Sequence, residues 1–453
     1  MAFPAGFSWG AASAAYQIEG GAAEGGRTPT IWDTFSHTPG HTCGGATGDL
    51  ACDSYHRWNE DLDLLAQAGI PNYRFGIGWT RIFPTLDETP NPAGLAYYDA
   101  VVDGCLARGI TPWITLYHWD LPQYLEQRGG WRSPETAKAL GRMAGVVAKH
   151  FKGRVKHYFT INEPQCAAGL GYGNGVHAPG LKLSEEQLFL CVRNLVLAHG
   201  YAARAIRDAD PEAEIGYVST GKLCYPETEH KADVEAARKA SFAIVSNSEN
   251  SWWFNHNLYL DPVVLGAWPA ECAGTVLAPL IDAIPAEELA LAHEVPDCIG
   301  INVYNGHEVR AGKNGPELVP RYAGYPRTAL KWPVTPGVMD YGLLYLQQRY
   351  QLPLYVSENG QSCNDRIFLD GQVHDPDRID FLHRYLTALE KGIARGSGVK
   401  GYFHWSLTDN YEWASGYEDH FGLIYVDYRT MRRIPKDSYA WYRQVIATNG
   451  ACL

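Results

Sequence analysis

Two kinds of segment alternate along this chain from one end to the other. Eight short segments are rich in apolar, β-branched and aromatic residues, which is typical of buried strands. Between them lie longer segments whose apolar residues recur at helical spacing. This alternation predicts an α/β fold with a closed parallel sheet, a single (β/α)8 TIM barrel with long βα loops. The predicted strands are residues 7–15, 72–79, 111–117, 155–161, 214–219, 297–303, 354–357 and 400–405.

Several of the intervening helices begin with recognisable capping signals. Ser133 is a capping residue followed by Pro134 at the first helical position, and Ser184 opens a capping box with Gln187. No linker or low-complexity run interrupts the 453 residues, so residues 1–453 are expected to form one barrel domain. The predicted helices lie at 57–69, 95–108, 133–150, 184–208, within 230–247 and 252–266, and at 340–350, 375–395 and 435–447.

The composition argues against several classes of partner. A formal charge of -12 disfavours nucleic acid, which calls for a basic surface. No stretch reaches the roughly 18 continuous apolar residues of a membrane span, so no membrane partner is expected. The ten cysteines are scattered, without metal-ligand spacing, which predicts reduced thiols, no metal site and no cofactor. Because residues 1–7 also lack a signal-peptide pattern, we expect a cytoplasmic protein; monomer and homo-oligomer both remain open.

Two predicted strands end in a glutamate. One runs into an Asn-Glu-Pro sequence that contains Glu163, and another into a Glu-Asn-Gly sequence that begins with Glu358. The carboxyl ends of barrel strands form one face, so these two carboxyl groups are expected to meet. Two carboxyl groups about 5–5.5 Å apart serve as acid and nucleophile in a retaining glycosidase. Glu163 and Glu358 are therefore the predicted catalytic residues, and the barrel is predicted to be a catalytic domain.

Other polar and aromatic residues follow predicted strands in the same way. A barrel brings such residues from distant parts of the chain to a single site. Their chemistry suits a sugar, since hydroxyl groups need hydrogen-bonding side chains and aromatic rings cover its apolar faces. The residues at these strand ends are Gln17, Arg74, His118, Asn302, Tyr304 and Trp405.

The sequence resembles the retaining β-glucosidases of glycoside hydrolase family 1 over essentially its whole length. Each motif alone is weak, but all of them in this order and at these separations are highly specific. The motifs that carry the resemblance are Phe3-Pro-x-Gly-Phe-x-Trp-Gly10, Tyr16-Gln-Ile-Glu-Gly20, Tyr73-Arg-Phe75, Trp79-x-Arg-Ile82, Tyr117-His-Trp-Asp-Leu-Pro122, Thr160-x-Asn-Glu-Pro164, Ser357-Glu-Asn-Gly360 and Trp405-Ser-Leu-x-Asp-Asn-x-Glu-Trp413.

The resemblance implies a role for each matching residue. Glu163 would be the general acid/base and Glu358 the nucleophile. Arg74 and Tyr304 would hold Glu358 ionised and oriented, with Asn302 as further support. The residues implied in substrate binding are Asn162 at the sugar 2-hydroxyl, Gln17, His118, Trp119, Glu412 and Trp413 around the other hydroxyls, Trp405 as a stacking floor, Tyr304 and Phe421 beside it, and Trp332 as a platform for the leaving group.

The implied substrate is a small β-glucoside or a short oligosaccharide such as cellobiose, with glucose as a product. Glu412 would accept hydrogen bonds from the 4- and 6-hydroxyls, and a carboxylate there would repel a 6-phosphate at a cost of several kcal/mol. Unphosphorylated glucosides are therefore expected, with side activity on β-galactosides and β-fucosides. Transglycosylation would use the same residues.

Three positions depart from the family pattern. Val303 and Gln165 stand where the family usually has Tyr and Trp, and His420 replaces a common Arg before Phe421. Strand alternation is expected to turn residue 303 away from the site, so the chemistry should survive, while the three departures leave the leaving-group preference open.

Two other classes of protein fit parts of the sequence. A catalytically inactive, sugar-binding barrel would keep the aromatic residues but is expected to lose one carboxylate, and both are present. A phosphate-binding isomerase would need a glycine-rich loop after the seventh or eighth strand. This chain has acidic residues and tryptophans there instead. The glycines at 169–175 follow the Asn-Glu-Pro sequence and lack the strand–glycine–helix context of a nucleotide site, so we expect a loop lining the site entrance.

Overall fold

Eight parallel strands close into a barrel, which confirms the predicted TIM-barrel fold. The structure, a computed structural model, describes residues 2–245 and 251–453. Each strand pairs with its neighbours in chain order, and the last strand returns to the first with Gly401 opposite Ser8. The barrel strands are β1 (Ser8–Ala12), β2 (Asn72–Gly76), β3 (Thr111–Tyr117), β4 (His157–Asn162), β5 (Glu214–Ser219), β6 (Cys298–Asn302), β7 (Leu354–Asn359) and β8 (Val399–Trp405).

The first two strands are shorter than predicted. β1 stops at Ala12, and Gln17 lies in the short helix Ala15–Ile18 rather than at the strand's end. β2 stops at Gly76, and the helix Trp79–Ile82 follows. All residues of both helices are buried. Their sequences therefore continue the pattern of the buried strands, although their backbone is helical.

The helices between the strands bury one face against the barrel. In Pro134–Phe151, for example, Leu140, Ala144 and Val147 recur at helical spacing and are fully buried. Residues 246 and 247 of one predicted helix lie outside the described residues. The longer helices are Ser54–Gln67, Pro92–Ala107, Pro134–Phe151, Glu185–Ala209, Lys231–Phe242, Gly337–Tyr350, Pro376–Ala394 and Asp437–Ala447; the shorter ones are Ala15–Ile18, Ile31–Ser36, Trp79–Ile82, Gln123–Glu126, Pro164–Ala168, Asn257–Leu260, Ala278–Asp282 and Ala286–Ala292.

Two predictions about helical regions need correction. Residues 169–173 do not form the predicted loop: Gly169–Gly173 is a wide helical turn that continues the helix Pro164–Ala168, and Gly175 lies beyond it. A side chain at Gly169 would collide with the Trp253 ring, which explains the glycine. The helix predicted within 252–266 is confined to Asn257–Leu260 and a wide turn after it.

Two small sheets outside the barrel were not predicted. Cys224–Pro226 pairs with His307–Gly312, which in turn pairs with Gly315–Leu318, so this sheet joins the segments that follow β5 and β6. Ile424–Asp427 and Arg432–Pro435 form a hairpin after β8. These sheets brace the long βα connections above the carboxyl ends of the strands.

The strands that carry the two glutamates lose their regular register near those ends. The pairing of β4 with β5 shifts between Phe159 and Asn162. The pairing of β7 shifts after Val356 with both of its neighbours. Such irregularities re-aim side chains and are common beside active sites. They place the last residues of both strands at the mouth of the barrel.

Candidate active site

A cavity of about 550 Å³ opens above the carboxyl ends of the barrel strands. Three of the predicted site residues, Gln17, Arg74 and Asn162, lie behind its wall and form hydrogen bonds with residues that line it. The other eleven lie in the wall itself: His118, Trp119, Glu163, Asn302, Tyr304, Trp332, Glu358, Trp405, Glu412, Trp413 and Phe421.

Glu358 is buried and accepts strong hydrogen bonds on both carboxylate oxygens. Nη1 of Arg74 donates to Oε1 at 2.7 Å, and the hydroxyl of Tyr304 donates to Oε2 at 2.8 Å. Burial raises the pKa of Glu358, while the charge and hydrogen bonds of Arg74 and the Tyr304 hydroxyl oppose that rise. The surroundings therefore favour an ionised, fixed carboxylate.

Glu163 lies in the same cavity but has no cation bonded to it among the described residues. Its Oε1 accepts a hydrogen bond from Nδ2 of Asn302 at 2.6 Å. Burial first, and then the negative charge of Glu358, raise the pKa of Glu163 to about 7. The two carboxyl groups thus have different surroundings: one is held by a cation, and the other keeps its proton up to neutral pH.

Asn302 joins the two carboxyl groups. Its Nδ2 donates to Glu163 and also to Oδ1 of Asn162, at 3.1 Å. Its Oδ1 accepts from the Ser357 hydroxyl at 2.7 Å, and its hydrogen bonding helps to lower the pKa of Glu358. Asn302, which was expected to support Glu358, thus also bonds to Glu163, and that bond is its shortest.

His118 and Asn162 form a neutral, hydrogen-bonding part of the site. Nδ2 of Asn162 donates to Nε2 of His118 at 3.0 Å, and Nη2 of Arg74 donates to Oδ1 of Asn162 at 2.5 Å. Burial and the nearby Arg74 hold the pKa of His118 well below its usual range. A neutral His118 with an accepting Nε2 carries its proton on Nδ1, which has no partner among the described residues. That proton is available to a hydroxyl group.

Gln17 and Glu412 form a second polar region, after β1 and β8. Nε2 of Gln17 donates to Oδ1 of Asn410 at 3.0 Å, to the Tyr411 carbonyl at 2.9 Å and to Oε2 of Glu412 at 3.4 Å. Its buried Oε1 has no partner within the described part of the chain. Burial, with nearby Asp419 and the other carboxylates, raises the pKa of Glu412 to about 8. This region therefore presents donors and acceptors suited to hydroxyl groups.

Aromatic rings close the remaining sides of the cavity. Trp119 packs on Trp413 with ring centres 4.7 Å apart, and its Nε1 donates to the Asn162 carbonyl. Tyr304 contacts the rings of Trp332 and Phe421, at 5.2 and 6.1 Å. Such apolar walls with a few convergent polar groups are typical of a small-molecule site.

Three residues of the cavity wall have left-handed backbone conformations that residues other than glycine rarely adopt. The φ angles are 73° at Trp119, 46° at Glu163 and 51° at Trp413. Non-glycine residues in this region carry strain of about 1–3 kcal/mol each and cluster at functional sites. The surrounding structure therefore holds these three side chains in place at an energetic cost.

Several residues that shape the site were not predicted from the sequence. Thr115 accepts from Nε of Arg74 at 3.0 Å, and Asn410 positions Gln17. Thr115 lies on β3 shortly before His118, and Asn410 stands inside the last motif, so both could have been found. The wall formed by 220–223 and 251–255 carries no such signal, because only the tertiary structure brings its two segments together.

The described residues give little support to a metal or a membrane span. His, Cys, Asp and Glu side chains within 2–245 and 251–453 do not gather in groups of three or more suited to a metal ion. Across the same residues, none of the helices combines the length and apolar character that crossing a lipid bilayer would require.

The model for glycosyl hydrolase family 1 matches residues 1–451. The chain belongs to this family. Membership of family 1, predicted from the motifs, is thus confirmed, and the chain is a glycosidase. A family 1 relative from Bifidobacterium breve, a bifunctional β-D-glucosidase/β-D-fucosidase, is 41% identical, covering 100% of this chain and 99% of that protein. β-Glucosidase A from Thermotoga maritima is 39% identical over 99% of this chain and 98% of its own length.

Solved family 1 structures have the same architecture. The β-glucosidase from Thermotoga maritima in complex with glucoimidazole superposes with a TM-score of 0.88 at 38% identity, covering 99% of both chains. The same enzyme in complex with galacto-hydroximolactam matches with the same score and identity. The barrel and its loops are therefore shared along nearly the whole chain.

Proposed function

We propose that this chain is a retaining β-glucosidase that removes the terminal non-reducing β-D-glucosyl residue from short oligosaccharides such as cellobiose and from aryl and alkyl β-glucosides. One observation carries the proposal: Glu163 and Glu358 share a cavity, but only Glu358 is bonded to an arginine. A double displacement needs this difference, with one carboxyl protonated and the other ionised. The names of the family 1 relatives agree with it.

In the first step, Glu358 attacks the anomeric carbon and forms a glycosyl ester. The glycosidic bond breaks, and Glu163 gives its proton to the departing oxygen. Because the pKa of Glu163 is about 7, its proton is held at neutral pH and can still be transferred.

In the second step, water attacks the anomeric carbon and Glu358 leaves as a carboxylate. Glu163 accepts the proton of that water. While Glu358 is esterified it carries no charge, so one of the causes that raises the pKa of Glu163 is removed. Glu163 is therefore more acidic in the intermediate, and it acts as a base there.

The sugar-binding roles divide between the two polar regions and the rings. Asn162 binds the 2-hydroxyl, next to the anomeric carbon, and His118 and Gln17 bind hydroxyl groups farther away. Glu412 accepts from the 4- and 6-hydroxyls of an unphosphorylated sugar. The remaining roles are hydrogen bonding for Trp119 and Trp413, stacking for Trp405, a side wall for Phe421 and a leaving-group platform for Trp332.

The same pocket is proposed to accept β-fucosides and β-galactosides as minor substrates and to transfer sugars to alcohols. Two findings on relatives support the sugar range: the Bifidobacterium breve enzyme is named for both glucoside and fucoside cleavage, and the Thermotoga maritima enzyme was solved with a galacto-configured ligand. We further propose that residues 1–453 act as one catalytic domain in the cytoplasm, where its ten unpaired cysteines would stay reduced.

The experiment is a substrate panel. Wild type and Glu358→Gln are assayed on 4-nitrophenyl β-D-glucoside, -galactoside, -fucoside and 6-phospho-β-D-glucoside, and on cellobiose. We expect cleavage of the glucoside and cellobiose, weaker cleavage of the galactoside and fucoside, and loss of all cleavage in Glu358→Gln. A preference for the 6-phosphoglucoside, or full activity of Glu358→Gln, would contradict the proposal.

A further inference from the structure

A lysine lines the cavity across the mouth of the barrel from Gln17. Lys222 follows β5, whereas Gln17 follows β1 and Glu412 follows β8. In the ring of eight strands β5 lies opposite β1. The proposed glucosyl-binding groups and Lys222 therefore occupy opposite sides of the mouth of the barrel, and Lys222 faces the space beyond the scissile bond.

The Lys222 ammonium has spare hydrogen-bonding capacity. Within the described residues its Nζ donates to the Ala243 carbonyl at 2.9 Å and forms no ion pair. An ammonium has three N–H donors, so two of them have no partner among the described residues. The side chain is half-buried, and burial lowers the pKa of Lys222. An anion beside it would offset that loss of hydration.

The segment that carries Lys222 is fixed by a residue that departs from the family pattern. Gln165, where the family usually has Trp, is fully buried; its Nε2 donates to the Ser219 hydroxyl at 2.7 Å, and its Oε1 accepts from the Thr220 amide. The Lys222 amide donates in turn to the Phe254 carbonyl. Gln165 thus anchors the backbone that leads to the lysine instead of adding a ring to this wall.

The balance of charge around the cavity favours an anion at this end. Glu358 is neutralised by Arg74. Burial is the main cause that raises the pKa of Glu163 to about 7 and that of Glu412 to about 8. Both carboxyl groups are therefore mostly protonated at pH values below these. Lys222 is the one lysine or arginine among the described residues that line the cavity. Below a pH of about 7, its charge is therefore not cancelled by the described residues of the wall.

We propose that Lys222 makes this enzyme prefer β-glucosides whose aglycone carries a carboxylate. The inference rests on the proposed β-glucosidase activity and concerns the leaving-group side of the same site. The carboxylate would accept hydrogen bonds from the ammonium, and such charge-assisted bonds are stronger than neutral ones. The preference weakens as ionic strength rises, since the cavity is open to solvent.

The test compares 4-carboxyphenyl β-D-glucoside with 4-carbamoylphenyl β-D-glucoside, which differ in charge but hardly in shape. The ratio of their kcat/KM values is measured for wild type, Lys222→Arg and Lys222→Gln. Gln keeps an N–H donor but has no charge. The different acidities of the two phenols affect all three proteins alike, so only changes in the ratio are interpreted.

We expect the ratio to be about five- to tenfold higher in wild type and Lys222→Arg than in Lys222→Gln, as one partly desolvated ion pair would give. The carbamoyl substrate should react equally with all three proteins, which also shows that they are folded. Equal ratios in wild type and Lys222→Gln would overturn the inference. If wild type cleaved neither aryl glucoside, the proposed function would fail, and this inference with it.

Discussion

Nη1 of Arg74 lies 2.7 Å from Oε1 of Glu358, and both side chains are buried. The same guanidinium donates to Asn162, to Thr115 and to the Ser357 carbonyl. Arginine suits this position because its planar fork presents several donors in fixed directions. The contact sets the difference between the two glutamates, and the predictions below follow from that difference and from the buried charges around it.

Replacing Arg74 by Gln should lower kcat/KM by about 10²–10³, the effect of losing one preorganised electrostatic group. Without the cation, the hydrogen bonds of Tyr304 and Asn302 alone remain to oppose the rise that burial causes in the pKa of Glu358. The acidic limb of the pH profile should therefore move to higher pH. Arg74→Lys keeps the charge but loses the fork, and its acidic limb should move less. An unmoved limb in Arg74→Gln would show that Arg74 does not control the ionisation of Glu358.

Replacing Glu163 by Gln should remove the alkaline limb of the pH profile. In wild type the protonated acid is lost as pH rises through a pKa of about 7, and Gln cannot titrate. Cleavage of a glucoside with a poor leaving group should fall by about 10²–10⁴, the usual contribution of a general acid. With 2,4-dinitrophenyl β-glucoside, whose leaving group needs no proton, the first step should be much less affected. Equal losses on both substrates would contradict the assignment.

Glu412 should make the enzyme less stable at high pH. Its pKa is raised from 4.5 to about 8 in the folded protein, so folding favours the protonated form. That stabilisation is fully present below pH 4.5 and is lost as pH rises through 8. Glu412→Gln should have the Tm of wild type at pH 4 and a higher Tm at pH 9. A difference in Tm that does not change with pH would contradict this.

A buried ion cluster behind Phe421 should matter for stability. Oδ1 of Asp409 accepts from Lys436 at 2.6 Å and from the Gly422 amide at 2.9 Å, and Oδ2 lies 2.9 Å from Nδ1 of His420. Burial opposes the charge, but Lys436 and His420 hold the pKa of Asp409 well below its usual range. The stabilisation is therefore present at neutral pH and is lost as the solution becomes strongly acidic.

Asp409→Asn should lower the free energy of unfolding at pH 7 by about 1–3 kcal/mol, because Lys436 loses one of its two buried carboxylate partners and keeps Asp365. Asp380→Asn is the matched control, since its ion pair with Arg384 is exposed on both sides; the loss there should be below about 1 kcal/mol. Urea unfolding of both variants measures the difference. Equal effects would mean that the cluster contributes no more than a surface pair.

The barrel was predictable because each strand is buried and each is followed by a helix. A parallel strand covered on both faces needs an unbroken apolar segment, and that pattern is visible without any partner. Both ends of β5, Glu214 and Ser219, were predicted correctly. The helices that carry Gln17 and Trp79 were missed because their buried residues continue the apolar pattern of the strand. Helices this short contain too few residues for a helical periodicity to be visible in the sequence.

The site residues that could be predicted from their position in the sequence are those that follow a predicted strand. Glu163 and Glu358 stand at strand ends, so their meeting follows from the barrel itself. The path of hydrogen bonds through Asn302 depends on the register shifts in β4 and β7, which the sequence does not display. The wall around Lys222 depends on a contact between two long connections. The positive charge of Lys222 is evident from the sequence, but the position of this residue in the cavity wall is not.

The most direct measurement is azide rescue of Glu358→Gly with 2,4-dinitrophenyl β-D-glucoside, with the product's anomer determined by NMR. If Glu358 is the nucleophile of a retaining enzyme, the variant should be inactive alone, and azide should take the vacated place and yield the α-glucosyl azide. Glu163→Gly should instead give the β-glucosyl azide, which makes it the matched control. An active Glu358→Gly variant, or β-glucosyl azide from it, would contradict the assignment of the two carboxyl groups.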